Sequence, residues 1–305
     1  MSLRSLAVSL VLAVAAGGCG PTEVGNDIPD GGGIIGQQDG PQWGSEGGID
    51  QPPPDNCSAE AKLVYVVDEN GTFSSFDPHP TPPVFTDLGT LACPVGLGET
   101  PFSMSVDRDA IAWVLSSAGN LYRVDIKNNL SCVKAVFQAS QAGLDLFGMG
   151  FVSNTVGSTL DTLYVAGGTG PGAGANATLA TITFPDLQVH TIRSVSGWPE
   201  LTGNANAELW GFYPDATSPK VARIDKQTAV ENPVYALPGL RGQPTAWAFA
   251  FWGGDFWVFL MKDLESSTTV YKVKGTDGSM SVAVQTNGRT IVGAGVSTCA
   301  PVVID

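Results

Sequence analysis

The sequence predicts an all-β protein, a five-bladed β-propeller, and three observations lead there. Short segments rich in Val, Thr, Phe, Tyr and Trp are cut by Gly, Pro, Asn and Asp, two markers recur at one period, and the C-terminal segment supplies a strand that the N-terminal repeat lacks. No sustained helical period interrupts this pattern after Cys57, so residues 57–305 read as the folded domain. Expected strands include 63–67, 112–115, 121–126, 162–166, 179–184, 221–224, 256–261 and 270–274.

The first marker is a large-small-large-small segment. It appears as Phe102-Ser103-Met104-Ser105-Val106, Phe147-Gly148-Met149-Gly150-Phe151, Glu200-Leu201-Thr202-Gly203-Asn204, Trp247-Ala248-Phe249-Ala250-Phe251 and Val292-Gly293-Ala294-Gly295-Val296. The third is the poorest match, yet the small residues Ser105, Gly150, Gly203, Ala250 and Gly295 lie 45, 53, 47 and 45 positions apart. The second marker is a strand led by an aromatic, in the series Tyr65, Trp113, Tyr164, Trp210 and Trp257, spaced by 48, 51, 46 and 47. A third strand follows, often ended by a turn-forming acid such as Asp77, Asp125, Asp186 or Asp225, and then a fourth, as at 132–138, 188–195 and 281–286. Four antiparallel strands per 40 to 50 residues is the pattern of a propeller blade.

Ring closure follows from the ends. The strand at Tyr65 has no small-residue strand before it, and the segment 292–296 has no blade after it, so the C-terminal strand is expected to complete the first blade and remove the free sheet edges. Cys57 precedes the first strand of that blade and Cys299 follows the last. Four cysteines permit three connectivities, and closure favours Cys57 with Cys299 and Cys93 with Cys132. A bond across so long a loop is expected to add roughly 4 to 5 kcal/mol by the chain-entropy model.

The N-terminus carries one base, Arg4, then a run of eleven residues, 6–16, apolar but for Ser9 and ending in small residues, which reads as a secretory signal over 1–18. Two processing sites compete: Ala13-Val14-Ala15 suits ordinary cleavage, while Ala16-Gly17-Gly18-Cys19 resembles a bacterial lipobox with Ala16 in the usual leucine position. Lipidation of Cys19 would leave four cysteines to pair, as expected of an exported protein. Residues 20–56 hold ten glycines, six prolines, seven acids and no base, which suits a tether behind the anchor better than a core. Outer-membrane or cell-surface attachment is expected, with a periplasmic or secreted protein as the alternative.

Of the 305 residues only 14% are charged, with 29 acids against 15 bases and a net charge of −14, and no basic run serves a phosphate backbone. Nucleic acid is therefore no expected partner. Inner propeller strands line the central axis, and here they carry a single ionisable residue, Glu200. Small residues fit there because five strands converge, and paired carboxylates of the glycosidase type are missing from these segments. Asp107, Asp109 and Asp255 lie just past inner strands, where Asp ordinarily caps a turn; they are also the acids an enzyme would use at the channel mouth.

The glycine run 167–174 follows a strand like a dinucleotide fingerprint, but the next segment reads as a strand, which leaves no helix N-terminus for a pyrophosphate. His79 and His190 have no metal-binding partners at short range, so no metal or other cofactor is expected. The aromatics of 247–259 could form a carbohydrate-stacking platform, but their alternation favours inter-blade core, while Trp198 and Trp252, beside Gly or Pro at strand ends, are expected to reach the surface.

Phe147-Gly148-Met149-Gly150-Phe151, Ala248-Phe249-Ala250-Phe251-Trp252-Gly253-Gly254-Asp255 and Thr290-Ile291-Val292-Gly293-Ala294-Gly295-Val296-Ser297-Thr298-Cys299-Ala300-Pro301 resemble segments of uncharacterised Gram-negative predicted lipoproteins with a propeller-like domain. The resemblance implies that fold and export route and no particular activity. The expectation is a monomeric, lipid-anchored module binding an envelope protein or polysaccharide. The alternative is a propeller enzyme, a lyase, hydrolase or quinone-dependent dehydrogenase, with acids at the channel mouth.

Overall fold

The computed structural model describes residues 57–170 and 176–303. The leader, Cys19 and the tether lie outside the described residues, as does part of the glycine run.

Among the described residues twenty strands form five four-stranded antiparallel sheets. Blade 1 joins β1 (Val64–Asp68), β2 (Thr72–Asp77) and β3 (Val84–Thr90) to the C-terminal β20 (Ile291–Val296), which pairs with β1 as its innermost strand. Blade 2 holds β4 (Pro101–Val106), β5 (Ile111–Ser116), β6 (Leu121–Asp125) and β7 (Ser131–Lys134). Blade 3 holds β8 (Leu146–Ser153), β9 (Asp161–Gly168), β10 (Ala177–Ile182) and β11 (Val189–Val195). Blade 4 holds β12 (Glu200–Gly203), β13 (Leu209–Tyr213), β14 (Lys220–Ile224) and β15 (Glu231–Ala236), and blade 5 holds β16 (Pro244–Trp252), β17 (Asp255–Lys262), β18 (Thr269–Lys274) and β19 (Met280–Gln285). The protein is a five-bladed β-propeller. The Gly-rich stretch joins strands β9 and β10, with no helix after it.

Strands buried on both faces need apolar residues at successive positions, and each blade is sandwiched between two others. β1 and β5 are buried at every residue, whereas the outermost β3 and β7 are mostly exposed. The core divides into five clusters, one for each of the five blade interfaces, so the ring is closed by packing as well as by pairing. Blade 5 shows how alternation serves this. Phe249, Phe251, Phe256 and Val258 face blade 4 with Trp210 and Phe212, while Ala248, Ala250, Trp257 and Phe259 face blade 1 with Val64 and Phe76. At the closing seam the Phe76 ring lies 5.3 Å from both Trp257 and Phe259, and each such buried ring contributes about 2–3 kcal/mol through area removed from water.

The disulfides are Cys57–Cys299, with Cα atoms 5.9 Å apart, and Cys93–Cys132, with Cα atoms 4.9 Å apart. The first holds the two ends of blade 1 together. Among the described residues no helix is long and apolar enough to cross a membrane.

Candidate functional site

The small residues of the inner strands are required by backbone-on-backbone contact between blades. A Cβ on Gly148 would lie 2.5 Å from the Pro199 carbonyl oxygen, one on Gly150 2.8 Å from Thr202 Cα, one on Gly203 2.4 Å from the Phe151 carbonyl oxygen and one on Gly295 3.0 Å from Ser105 Cα. Gly148 and Gly150 of β8 meet Glu200 and Thr202 of β12 in the same direction, so inner strands run parallel around the axis. All therefore enter the hub from one face, the entry face, and leave by the other, the exit face.

Inner strands also present edge amides that have no strand partner, and a buried amide without an acceptor is costly. Small polar side chains of one blade meet this need in the next. Phe151 N–H donates to Ser105 Oγ at 3.1 Å, and Phe251 N–H donates to Thr202 Oγ1 at 3.1 Å. Glu200 takes part in the same scheme. It is 3% exposed, and its side chain passes the gap left by Gly148 to reach a third strand, where Ser103 Oγ donates to Oε1 at 2.5 Å. Met149 N–H donates to the same oxygen at 3.4 Å. Burial pushes the Glu200 carboxyl up to about 8 despite these two donors, so it is largely neutral at pH 7. The residue at the margin of the poorest repeat thus joins blades 2, 3 and 4 inside the hub.

The expected acids behave as turn and strand residues. Asp107 Oδ1 accepts from the amides of Asp109 and Ile111 at 3.0 Å each, and Oδ2 accepts from Trp113 Nε1 at 2.9 Å. Burial raises the Asp107 pKa, against the pull of these bonds. Asp109 is exposed at the hairpin tip, and Asp255 pairs within blade 5 with Lys272 Nζ at 2.8 Å. Blade 4 repeats the Asp107 geometry with Asn204, whose Oδ1 accepts from Asn206 and Glu208.

The residues that do converge at the exit mouth are Arg108, Asp161 and Thr298, which the sequence did not single out. Arg108 Nη1 donates to Thr298 Oγ1 at 2.8 Å, Thr298 Oγ1 donates to Asp161 Oδ2 at 2.6 Å, and Ser153 Oγ donates to Asp161 Oδ1 at 3.1 Å. Arg108 Nη2 also donates to Cys57 Sγ at 3.4 Å, which ties this cluster of blades 1, 2 and 3 to the ring-closing disulfide. Desolvation raises the Asp161 pKa, opposed by the bond from Thr298 and the Arg108 charge.

Trp198 and Trp252 do not reach the surface as expected. Trp252 is 4% exposed, because the His79 ring covers it at 4.6 Å and its indole N–H donates to the Lys62 carbonyl at 2.9 Å; Trp198 is buried between blades 3 and 4. The remaining aromatics of 247–259 line inter-blade core, with Trp247 partly buried against it. Among the described residues no three His, Cys, Asp or Glu side chains are grouped to hold a metal ion.

Recesses also lie away from the hub. A pocket of about 570 Å³ opens on the exit face of blade 4, between the hairpin 204–208 and the turn 225–230. Arg223 is fixed in its wall by Nε donating to the Asn232 carbonyl at 3.0 Å and Nη1 donating to Glu208 Oε1 at 3.2 Å. A second recess of about 250 Å³ lies on the entry face between blades 1 and 2. In its lining Glu99 accepts from Ser116, Asn120 and Tyr122 and from the Gly96 amide; burial works against its charge, but these donors hold it down to about 2.

No family profile and no curated protein matches the sequence. Solved structures that are similar include the nidogen/laminin complex (TM-score 0.45, 10% identity, 76% of this chain and 97% of that one). Others are a protein of unknown function from Bacteroides caccae (TM-score 0.42, 12% identity, 76% and 84%) and a putative TolB from Agrobacterium tumefaciens (TM-score 0.37, 10% identity, 78% and 94%).

Proposed function

We propose that this protein is an exported, lipid-anchored binding module that engages an envelope protein or polysaccharide with its rim, the anchor being Cys19 and the spacer residues 20–56. The observation that carries this reading is the close contact of the inner strands. Adjacent inner strands touch through backbone at Gly148, Gly150, Gly203 and Gly295, and the carboxyl group of Glu200 there is buried and bonded within the protein. Asp107 and Asp255 are engaged in their own blades, so they form no facing carboxylate pair. Two disulfides suit an oxidising compartment and hence export.

The test is capture from solubilised envelope by the full exported chain, followed by analysis of retained proteins and glycans. Retention of a defined partner is expected, and retention of neither class contradicts the proposal. Mass spectrometry of the same material is expected to find a diacylglyceryl group on Cys19; an unmodified Cys19, or a chain starting at Ala16, contradicts the anchor.

A further inference from the structure

The pocket on the exit face of blade 4 has the chemistry of a sugar site. We propose that it binds a neutral oligosaccharide, an inference that rests on the binding reading above and names its site and ligand class. A sugar hydroxyl both donates and accepts, so its recognition needs donors and acceptors side by side on a prearranged wall, together with some apolar surface for the C–H faces. Arg223 is held by two bonds that leave its Nη2 donors uncommitted. Glu208 is fixed in turn, because its Oε2 accepts from Asn204 Nδ2 at 2.9 Å and Trp210 Nε1 at 3.4 Å. The Asn206 and Asn232 side-chain amides, both on exposed residues of the lining, form no hydrogen bond among the described residues and so offer a donor and an acceptor each. Val230, an exposed residue, supplies the apolar part of the lining, backed by the buried Leu209 and Ile224.

Charge decides against an ionic ligand. Two cations, Arg223 and Lys226, and two anions, Glu208 and Asp225, share one lining, so it carries no net charge to favour a charged ligand. Lys226 is already committed, with Nζ donating to the carbonyls of Ser153 and Asn154 at 3.2 Å each, a contact that also fixes this turn against blade 3. The volume, about 570 Å³, lies within the range of small-molecule sites.

The test is calorimetric titration of the full chain with neutral trisaccharides built from glucose, galactose, mannose and N-acetylglucosamine. At least one is expected to bind, with affinity falling about tenfold or more in Arg223→Met and by a smaller factor in Asn206→Ala, as loss of one polar contact predicts. Asp109→Ala, on another blade, is expected to bind as the parent does. Should Arg223→Met fail to fold, Asn206→Ala decides, since its exposed side chain bonds nothing in the protein. Binding that is equal in parent and Asn206→Ala and Arg223→Met overturns the pocket assignment and leaves the binding reading standing. No binding by any of these sugars, with a protein captured from envelope, overturns the sugar site alone. No sugar bound and nothing captured overturns both.

Discussion

Glu200 shows how one side chain can be read wrongly from its neighbours and rightly from its surroundings. It sits in the segment that fits the repeat least, which makes it look peripheral, yet it lies inside the hub because Gly148 leaves the space for it. Its pKa, pushed up from 4.5 to about 8 by burial, has a stability consequence. Below about pH 4.5 the carboxyl is protonated whether the chain is folded or not, and burial costs nothing through ionisation. As pH rises toward 8 the unfolded chain loses the proton first, the native state binds more protons, and stability falls by up to about 1.4 kcal/mol per pH unit. Above that value the loss is complete. Glu200→Gln, which keeps an acceptor for Ser103, is expected to flatten the fall in melting temperature between pH 5 and pH 8 measured relative to the parent; parallel pH profiles would show that Glu200 ionises freely in the fold.

The hairpins are the elements that absorb most of the acids. Asp107 accepts two backbone amides of its own turn and the indole N–H of Trp113, so Asp107→Ala is expected to cost about 1–3 kcal/mol in urea unfolding by leaving that buried donor without an acceptor. Asp109→Ala, at the exposed tip, is expected to stay within about 0.5 kcal/mol. Equal effects would remove the distinction drawn between them. Much at this scale was legible in the sequence. The small residues recur because backbones meet at the hub, and the aromatics Trp113, Trp210 and Trp257 recur because each lies in inter-blade core. What was not legible depends on neighbours from other blades. Trp252 stands beside glycines at a strand end, a position that suggests exposure, but His79 from blade 1 covers it. The pocket of blade 4 is likewise set by how two turns of one blade face each other, and neither turn carries a motif of its own.

At the scale of the whole ring, closure was the most legible feature, since a strand missing at one end and present at the other can have only one use. The Arg108, Thr298 and Asp161 cluster was not legible, because residues 190 and 137 positions apart meet only once the ring angle is fixed. The two disulfides differ in the length of chain they close, with sequence separations of 242 and 39. The chain-entropy model then predicts losses of about 5.5 kcal/mol for removing Cys57–Cys299 and about 4 kcal/mol for removing Cys93–Cys132, so the paired Ser variant of the first is expected to melt lower. The reverse order would locate the weaker point of the molecule between blades 1 and 2 rather than at the seam.

A hub whose inner strands meet through backbone, with edge amides bonded to side chains of neighbouring blades, makes one direct demand. In native-state hydrogen exchange the amides of Met149, Phe151 and Phe251 are expected to exchange only through global unfolding, as slowly as the most protected strand amides. Exchange of these three near the rate of an unprotected amide would reveal water on the axis, and would return the hub to consideration as the place where ligands enter.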